Sequence, residues 1–288
     1  MERMEIPPIS FTEIQRLFKA SETVISRHAA SIHLKGGSVF SGVYAKACGY
    51  EGILTAGHCA LGFLRGDHVI FSISESWHEF SVTPSVLEHV LVGYDKTGRN
   101  PPEPDLSFVI IRDRKAIEII KSQGFQFYDL DAHIVRAKET FENYGFPKFN
   151  WCVSGTPGEK VEVPKRYADG MRGMVVTPIN SMQGNFSSHA FRGDFDYIEL
   201  FFASGVAKFP DSYEGVSGGG IWYLCFVTKD GLAYDVEPVL AGISISQTKE
   251  PILERDLRVR MITGHGWFSI YRKVRDALAD KRASERQT

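Results

Sequence analysis

The chain has 288 residues, of which 43% are hydrophobic and 24% are charged, so a largely disordered polypeptide is excluded. The 33 Lys and Arg residues nearly balance the 35 Asp and Glu residues, and a net charge of −2 gives no global electrostatic basis for binding nucleic acid or an acidic membrane surface. No long apolar run and no secretory signal occur, so we expect a cytoplasmic protein whose four cysteines are reduced.

The N-terminal part predicts one short helix and then a series of strands. A capping box at Ser10 and Glu13 precedes apolar residues at helical spacing, which predicts a helix over about 11–20. Short apolar or alternating runs separated by turns then predict strands at 30–34, 39–45, 52–55, 69–73, 80–83, 86–92 and 106–111. Strands at such short intervals favour an antiparallel sandwich or barrel over βαβ units.

The second half repeats this pattern after a predicted helix at 114–123, which Gly124 terminates. Further strands are predicted at 140–145, 161–163, 174–178, 197–202, 220–227, 239–245 and 257–261. An amphipathic helix begins near Ile270, and the polar tail 281–288 is expected to fray. The chain is therefore predicted to form two β-rich halves that are joined near 112–135.

Three segments carry residues suited to one reaction. At 55–59 the letters TAGHC continue from a strand into a turn of small residues that presents His58. Asp105 opens an apolar strand, and GVSGG at 215–219 places Ser217 in a glycine-rich loop. A serine hydroxyl is a weak nucleophile that needs an adjacent base, and histidine suits that role because its pKa lies near neutrality. A carboxylate can orient the histidine, and glycines let backbone N–H groups converge on a developing oxyanion.

Together and in this order, the three segments resemble the trypsin-like, chymotrypsin-fold serine peptidases, in the bacterial form without a PDZ domain. The resemblance implies a mainly β protein, with two antiparallel six-stranded β-barrels and helices at both ends. It implies that His58 is the general base and acid, that Asp105 orients it and that Ser217 is the nucleophile. The backbone N–H groups of Gly215 and Ser217 would form the oxyanion hole.

The same resemblance divides the chain into five parts. They are an N-terminal helical extension at 1–28, a first barrel with His58 and Asp105 at 29–112, an interdomain helix and linker at 113–135, a second barrel with Ser217 at 136–268, and a C-terminal helix and tail at 269–288. Val216 stands where digestive members carry the aspartate that pairs with a freshly cut N-terminus, so activation of that kind is not expected. Cys59 occupies a familiar position, but Cys48 lies closer to it in sequence than the usual disulfide partner does.

Two further residues bear on specificity. Asp211 precedes Ser217 by the offset of the acid at the base of the trypsin P1 pocket, which implies cleavage after Arg or Lys. The alternative is a solvent-exposed loop aspartate. Gln247 falls where trypsin has a small glycine, so the mouth of the pocket is expected to be narrower.

Two alternative interpretations of Ser217 also fit the sequence. The letters GVSGG also fit the G-x-S-x-G nucleophile elbow of α/β-hydrolases, with Asp235 or Asp256 and His265 completing the triad, although only a short stretch of chain follows Ser217. The other reading is a catalytically inactive peptidase fold that serves as a binding module.

The remaining sequence indicates no metal site and no cofactor, because zinc-binding and phosphate-binding motifs are absent. The expected partner is a protein substrate, with no nucleic acid and no membrane. A regulatory partner is also expected, since an unrestrained cytoplasmic peptidase would be harmful. By analogy with the family, the peptidase would activate or degrade a partner protein in a bacterial defence or stress pathway, such as antiviral defence.

Overall fold

The computed structural model describes residues 11–34, 38–73, 78–92, 104–143, 146, 150–158, 161–162, 175–176, 179–204, 212–229, 232–249, 251–254 and 257–287. Asp211 and Asp256 lie outside these described residues. Within the described part of the chain, no helix combines the length and the apolar character that a membrane span requires.

The first sheet is formed by the N-terminal half of the chain. Its strands are β1 Ala29–Leu34, β2 Val39–Ala47, β3 Tyr50–Thr55, β4 Val69–Ile73, β5 His78–Val82, β6 Leu87–Leu91, β7 Ser107–Ile111 and β8 Tyr128–Asp129. The order is β5-β4-β1-β2-β3-β7-β6, all antiparallel, and β8 adds a short parallel pairing to β2. Strand β7 is buried at every position, so its sequence SFVII is continuously apolar after the first residue rather than alternating.

The second sheet closes on itself. Its strands are β9 Trp151–Gly155, β12 Ile179–Arg192, β13 Phe195–Ala203, β14 Gly220–Lys229, β15 Leu232–Gln247, β16 Ile252–Glu254 and β17 Leu257–His265, and β10 Val161–Glu162 and β11 Val175–Val176 pair separately. The order is β13-β12-β9-β14-β15-β17-β16, and β13 also pairs with β17. Six strands therefore complete an antiparallel barrel, and β16 extends it at one edge.

The helices at the two ends of the chain each pack on the sheet that is distant in sequence. The helices are α1 Phe11–Ser26, α2 Gly57–Leu64, α3 Arg114–Ser122, α4 Leu130–Lys138 and α5 Val274–Glu285, with π-helical segments at Glu139–Asn143 and Ser269–Lys273. Helix α1 packs against β12 and β15 of the second sheet, whereas α5 packs against β2 and β6 of the first. Each terminal helix therefore contacts the half of the chain to which it does not belong in sequence.

Aromatic side chains fill the boundary between the two sheets. The ring of His28, just before β1, stacks on Trp222 of β14 with centroids 5.9 Å apart, and the ring of Tyr128 meets Trp222 edge-on at 5.4 Å. The hydroxyl groups of Tyr128 and Tyr271 lie 3.0 Å apart. Because Trp222 is fully buried, roughly 150–250 Å² of its surface leaves water at this boundary.

The predicted fold class is confirmed: the protein is mainly β, with two antiparallel sheets and helices at both ends. The first sheet has eight strands instead of the predicted six, for two reasons. A 3-10 turn at Pro84–Val86 divides one stretch of chain into β5 and β6, and the short strand β8 is added beside β2. The α/β-hydrolase alternative is wrong, since among the described residues β2 and β8 form the sole parallel pairing. The domain boundaries stay a prediction.

Two local expectations are wrong. Of the strand predicted at 140–145, residues 140–143 continue helix α4 as a π-helical turn, and the ring of Phe141 stacks on Trp151 of β9. The tail predicted to fray is helical through Glu285, whose carboxylate accepts a hydrogen bond from the Tyr50 hydroxyl at 2.6 Å. In both places a tertiary contact overrides the local pattern.

Candidate active site

His58 and Asp105 meet at the end of the first sheet. Helix α2 begins directly after β3 and carries His58 in its first turn, while Asp105 precedes β7, which pairs with β3. Asp105 Oδ1 accepts the backbone N–H of His58 at 2.8 Å, and Oδ2 lies 2.6 Å from His58 Nδ1. A Cβ on Gly57 would lie 2.8 Å from Asp105 Oδ1, so any larger residue there would require the Asp105 carboxylate to shift. The carboxylate therefore fixes both the backbone and the ring of His58.

The neighbours of His58 favour its charged form. The hydrogen bond that His58 donates to Asp105 is the largest cause, a contact with Cys59 is the second, and together they raise the pKa of His58 to about 10 against the opposing effect of burial. The side chain of His58 is 49% exposed, whereas that of Asp105 is 14% exposed. The imidazole thus faces the solvent side of the site, and the carboxylate lies behind it.

A second histidine lies behind Asp105. The backbone N–H of Asp105 donates to His265 Nε2 at 3.2 Å, and His265 comes from the end of β17 in the other sheet. His265 is fully buried, and burial lowers its pKa to about 4, so the ring stays neutral and Nε2 can accept. Sequence reasoning considered His265 only for the α/β-hydrolase alternative, since nothing local indicates a contact across 160 residues.

The loop that carries Ser217 depends on glycine. Gly215 and Gly218 both have φ +89°, in the left-handed region that other residues rarely adopt. A Cβ on Gly218 would lie 2.1 Å from Ser41 O and 2.2 Å from Thr55 Oγ1, so the loop can approach the first sheet only with glycine at this position. The predicted glycine-rich turn is therefore needed both for conformation and for space.

Two peptide groups of this loop are anchored through their carbonyl oxygens. Glu214 O accepts the N–H of Gly158 at 2.6 Å. Val216 O accepts the N–H of Gly219 at 2.8 Å, and it also accepts the Ser244 hydroxyl at 2.7 Å. Each anchored carbonyl fixes the plane of the peptide group to which it belongs.

The opposite sides of the same peptides carry the N–H groups of Gly215 and Ser217. In a trans peptide the N–H points away from the C=O, so these two donors point away from the anchors. Neither N–H donates a hydrogen bond within the part of the chain that the structure describes. Two unpaired, preoriented donors next to a serine can bind a developing oxyanion.

Cys59 lies between His58 and Ser217. Its Sγ is 3.3 Å from His58 Nε2 and 3.2 Å from Ser217 O, and Cys59 forms no disulfide. The Ser217 hydroxyl donates instead to Ile245 O at 3.2 Å. The structure thus brings Asp105 to His58 as expected, but it shows no hydrogen bond between His58 Nε2 and Ser217 Oγ. Sequence reasoning did not anticipate the thiol at this position.

A cleft of about 520 Å³ joins these groups. His58 and Ser217 line it together with Ser212 and Gln247, and its walls come from both sheets. The Gln247 side chain accepts the N–H of Tyr213 at 2.8 Å and donates to Ser212 Oγ at 3.1 Å, so it forms a fixed wall of the cleft. Nowhere in the described ranges do three or more His, Cys, Asp or Glu side chains gather as a metal site would require.

Comparisons with known proteins give similarities of fold at low identity. No family model matches the chain, and no curated protein matches it. A chain from a structure concerning the intrinsically disordered VPg protein of Sesbania mosaic virus is 13% identical with a TM-score of 0.42, over 85% of this chain and 88% of that one. The thermostable serine protease AL20 from an extremophilic microorganism is 12% identical with a TM-score of 0.41, over 88% and 97% of the two chains.

A third similar structure is the HtrA-type protease AlgW with a tripeptide, at 16% identity and a TM-score of 0.37. The match covers 86% of this chain and 59% of that one. At these TM-scores the similarities do not bear on activity.

Proposed function

We propose that the protein is a serine endopeptidase that works through an acyl-enzyme. The observation that carries this proposal is the contact of Asp105 Oδ2 with His58 Nδ1 at 2.6 Å, beside a cleft that His58 shares with Ser217 and with the loop whose two N–H groups have no partner among the described residues. A carboxylate on Nδ1 keeps the proton there in neutral imidazole and leaves Nε2 as the proton acceptor.

The proposed reaction uses each of these groups. Nε2 of His58 takes the proton of Ser217 Oγ as the oxygen attacks the carbonyl carbon of the substrate. The N–H groups of Gly215 and Ser217 bind the oxyanion that forms. His58 then gives its proton to the leaving amine, and a water molecule hydrolyses the Ser217 ester by the same steps in reverse order.

One rearrangement must precede attack. Ser217 Oγ has to leave Ile245 O and turn toward His58 Nε2, which in turn has to leave the Cys59 thiol. A single hydrogen bond of this kind contributes about 0.5–1.5 kcal/mol net, so the rotation is a small part of any catalytic barrier. Catalytic hydrogen bonds often shorten only when substrate is bound.

The proposal predicts that a fluorophosphonate probe labels the protein on Ser217. Wild type should be labelled and should hydrolyse a protein substrate, while Ser217→Ala should lose both because the attacking oxygen is gone. Mass spectrometry of the labelled peptide and a proteolysis assay measure the two effects. Ser246→Ala is the matched control, since Ser246 also lines the cleft and is exposed, and it should keep both activities.

Two results would overturn this function. Full proteolysis by Ser217→Ala would show that another group attacks the substrate. A folded wild type that is neither labelled nor proteolytic would favour the alternative of an inactive peptidase fold that acts as a binding module.

For specificity, we propose cleavage after Arg or Lys, directed by Asp211. Asp211 lies outside the described residues, and the support is its offset from Ser217 together with the position of the next residue, Ser212, in the cleft wall. A carboxylate in a closed pocket favours a cationic partner, and leaving it unpaired costs on the order of 1–3 kcal/mol. That cost corresponds to a preference of roughly 5- to 150-fold for a basic P1 residue.

Cleavage of a peptide library measures this preference. Wild type should favour basic P1 residues, and Asp211→Ser should lose the preference while Ser217 stays reactive to the probe. Glu214→Gln is the matched control, because this carboxylate is exposed at the same cleft and its removal should leave the P1 profile unchanged. A wild-type preference for apolar or small P1 residues would place Asp211 on the surface.

The substrate that we propose is a cytoplasmic partner protein of a bacterial defence or stress pathway, which cleavage activates or degrades. The family resemblance alone supports this role. Proteins encoded by neighbouring genes are the first substrates to incubate with wild type and with Ser217→Ala.

A further inference from the structure

The hydroxyl of Ser41 joins the first sheet to the loop that carries Ser217. Ser41 lies in β2 and is fully buried. Its Oγ donates to Gly215 O at 2.6 Å and accepts the N–H of Thr156 at 2.9 Å. Its carbonyl oxygen accepts the Thr55 hydroxyl at 2.8 Å, which holds Ser41 itself in place. One side chain of the first sheet therefore bonds two segments of the other half of the chain.

The carbonyl of Gly215 belongs to the middle one of three successive peptide groups in this loop. This carbonyl belongs to the peptide group between Gly215 and Val216, which separates the two peptides whose N–H groups have no partner in the described part of the chain. Gly215 has no Cβ and has φ +89°, so rotation of this peptide meets little steric resistance from Gly215 itself. Its orientation must therefore be set by hydrogen bonds: the N–H of Val216 donates to Tyr213 O at 3.1 Å on one side, and the Ser41 hydroxyl donates to Gly215 O at 2.6 Å on the other.

Thr156 cannot take over this role. Its hydroxyl lies 2.9 Å from Ser31 Oγ, and Ser31 Oγ lies 3.1 Å from Nε2 of the buried His33. The Thr156 side chain is thus already engaged away from the loop. Loss of the Ser41 hydroxyl would leave the buried N–H of Thr156 and the carbonyl of Gly215 without this partner, an arrangement that folded proteins avoid.

We propose that Ser41 is a positioning residue for the oxyanion hole. Its hydroxyl holds the backbone at 215–217 in the orientation that turns the N–H groups of Gly215 and Ser217 toward the carbonyl of a bound substrate. This inference rests on the proposed peptidase function for its catalytic consequence. The effect on the loop itself does not depend on activity.

The test is Ser41→Ala. We expect kcat to fall about 10- to 100-fold with KM within twofold of wild type, less than when an oxyanion donor is removed outright. Affinity for a peptide boronate, whose tetrahedral adduct with Ser217 uses the same donors, should fall by a similar factor. The apparent pKa of the rising limb of the pH profile of kcat/KM should not change, because His58 and Asp105 are untouched.

The matched control is Ser21→Ala, which removes another fully buried hydroxyl, one that donates to Phe18 O in α1 far from the loop in sequence. It should leave kcat and boronate affinity unchanged. Ser41→Thr keeps a hydroxyl and should recover most of the lost kcat. If Ser41→Ala does not fold, Ser41→Cys, assayed with a reducing agent, replaces it and should show a smaller loss in the same direction.

Hydrogen exchange separates this inference from the proposed function. Amide exchange in peptides covering 212–219 should be faster in Ser41→Ala than in wild type and unchanged in Ser21→Ala, whether or not the protein is active. A wild type that the fluorophosphonate does not label would overturn the peptidase function, and the exchange result would still decide the role of Ser41. Unchanged exchange, or a kcat of Ser41→Ala within twofold of wild type, would overturn the positioning role.

Discussion

His58 is a base whose strength is set by two neighbours. Asp105 holds Nδ1, and the Cys59 thiol lies 3.3 Å from Nε2, the nitrogen that must accept the proton of Ser217. Both contacts raise the pKa of His58, so the neutral form that can act as a base becomes dominant only at alkaline pH. Residue identity alone indicated a base near neutrality, and the surroundings change that expectation.

A pH profile tests the part played by Cys59. In wild type, kcat/KM should rise with pH along a limb whose apparent pKa lies above 6.5, since protonated His58 cannot accept a proton. Cys59→Ala removes one of the contacts that raise this pKa, so the limb should move to lower pH. On the acid side of the limb, kcat/KM should increase about tenfold for each unit by which the pKa falls.

Cys48→Ala is the control, because Cys48 is also a free cysteine but contacts Arg275 O instead of the site. Cys48→Ala should leave the apparent pKa of the rising limb unchanged. A Cys59→Ala profile that coincides with wild type would show that Asp105 alone sets the basicity of His58.

The C-terminal end of helix α5 is held on the first half of the chain by charged side chains. Its sequence is strongly polar, yet Lys281 and Glu285 form a cluster of ion pairs with Glu88 and Arg112 of the first half. The hydrogen bond from Tyr50 and the ion pair with Arg112 are the main causes that lower the pKa of Glu285 to about 2. The end of α5 is therefore ordered by charge and hydrogen bonding, whereas Val274 and Leu278 bury an apolar face in its first two turns.

Glu285→Gln tests whether this charge cluster stabilises the fold. Because the pKa of Glu285 is lower in the folded protein, its charge stabilises the fold above pH 4.5, and this contribution is lost as the pH falls from 4.5 toward 2. The thermal midpoint of wild type should exceed that of Glu285→Gln by a small amount at pH 7, and the difference should vanish near pH 2. Differential scanning calorimetry across this range measures it.

Glu118→Gln is the matched control for that comparison. Glu118 pairs with Arg114 within the exposed face of α3, so its loss should have little effect at any pH. A difference between wild type and Glu285→Gln that persists at pH 2 would show that the substitution acts through packing or the Tyr50 hydrogen bond.

Elements with strong local patterns were predicted well from sequence, and those shaped by distant contacts were not. Strands β4 and β7 and helix α3 have short apolar runs or helical spacing bounded by clear turn residues, and they lie where the pattern indicated. Strand β12 was not predicted, because its sequence INSMQGNFSSHAFR is rich in polar residues and has no apolar run. Its pairing with β9 and β13, not its own composition, makes it a strand.

At the scale of the whole molecule, the candidate site is shared between the two halves. His58 and Asp105 come from the first half, and Ser217 and His265 come from the second. Helices α1 and α5 each pack on the sheet that is distant in sequence, and Ser41 bonds the loop of the opposite half. The geometry of the cleft therefore depends on how the two halves are held together.

The sequence by itself determined the mainly β class, the order of His58, Asp105 and Ser217, and the glycines that the loop at 215–219 requires. These features are local, because hydrophobic period and turn chemistry depend on neighbours a few residues apart. Only the tertiary structure decided that Cys59 contacts Ser217 O, that His265 supports Asp105 and that Ser41 holds Gly215, contacts that span 158, 160 and 174 residues. Such contacts follow from strand register and barrel closure, which no short segment of sequence specifies.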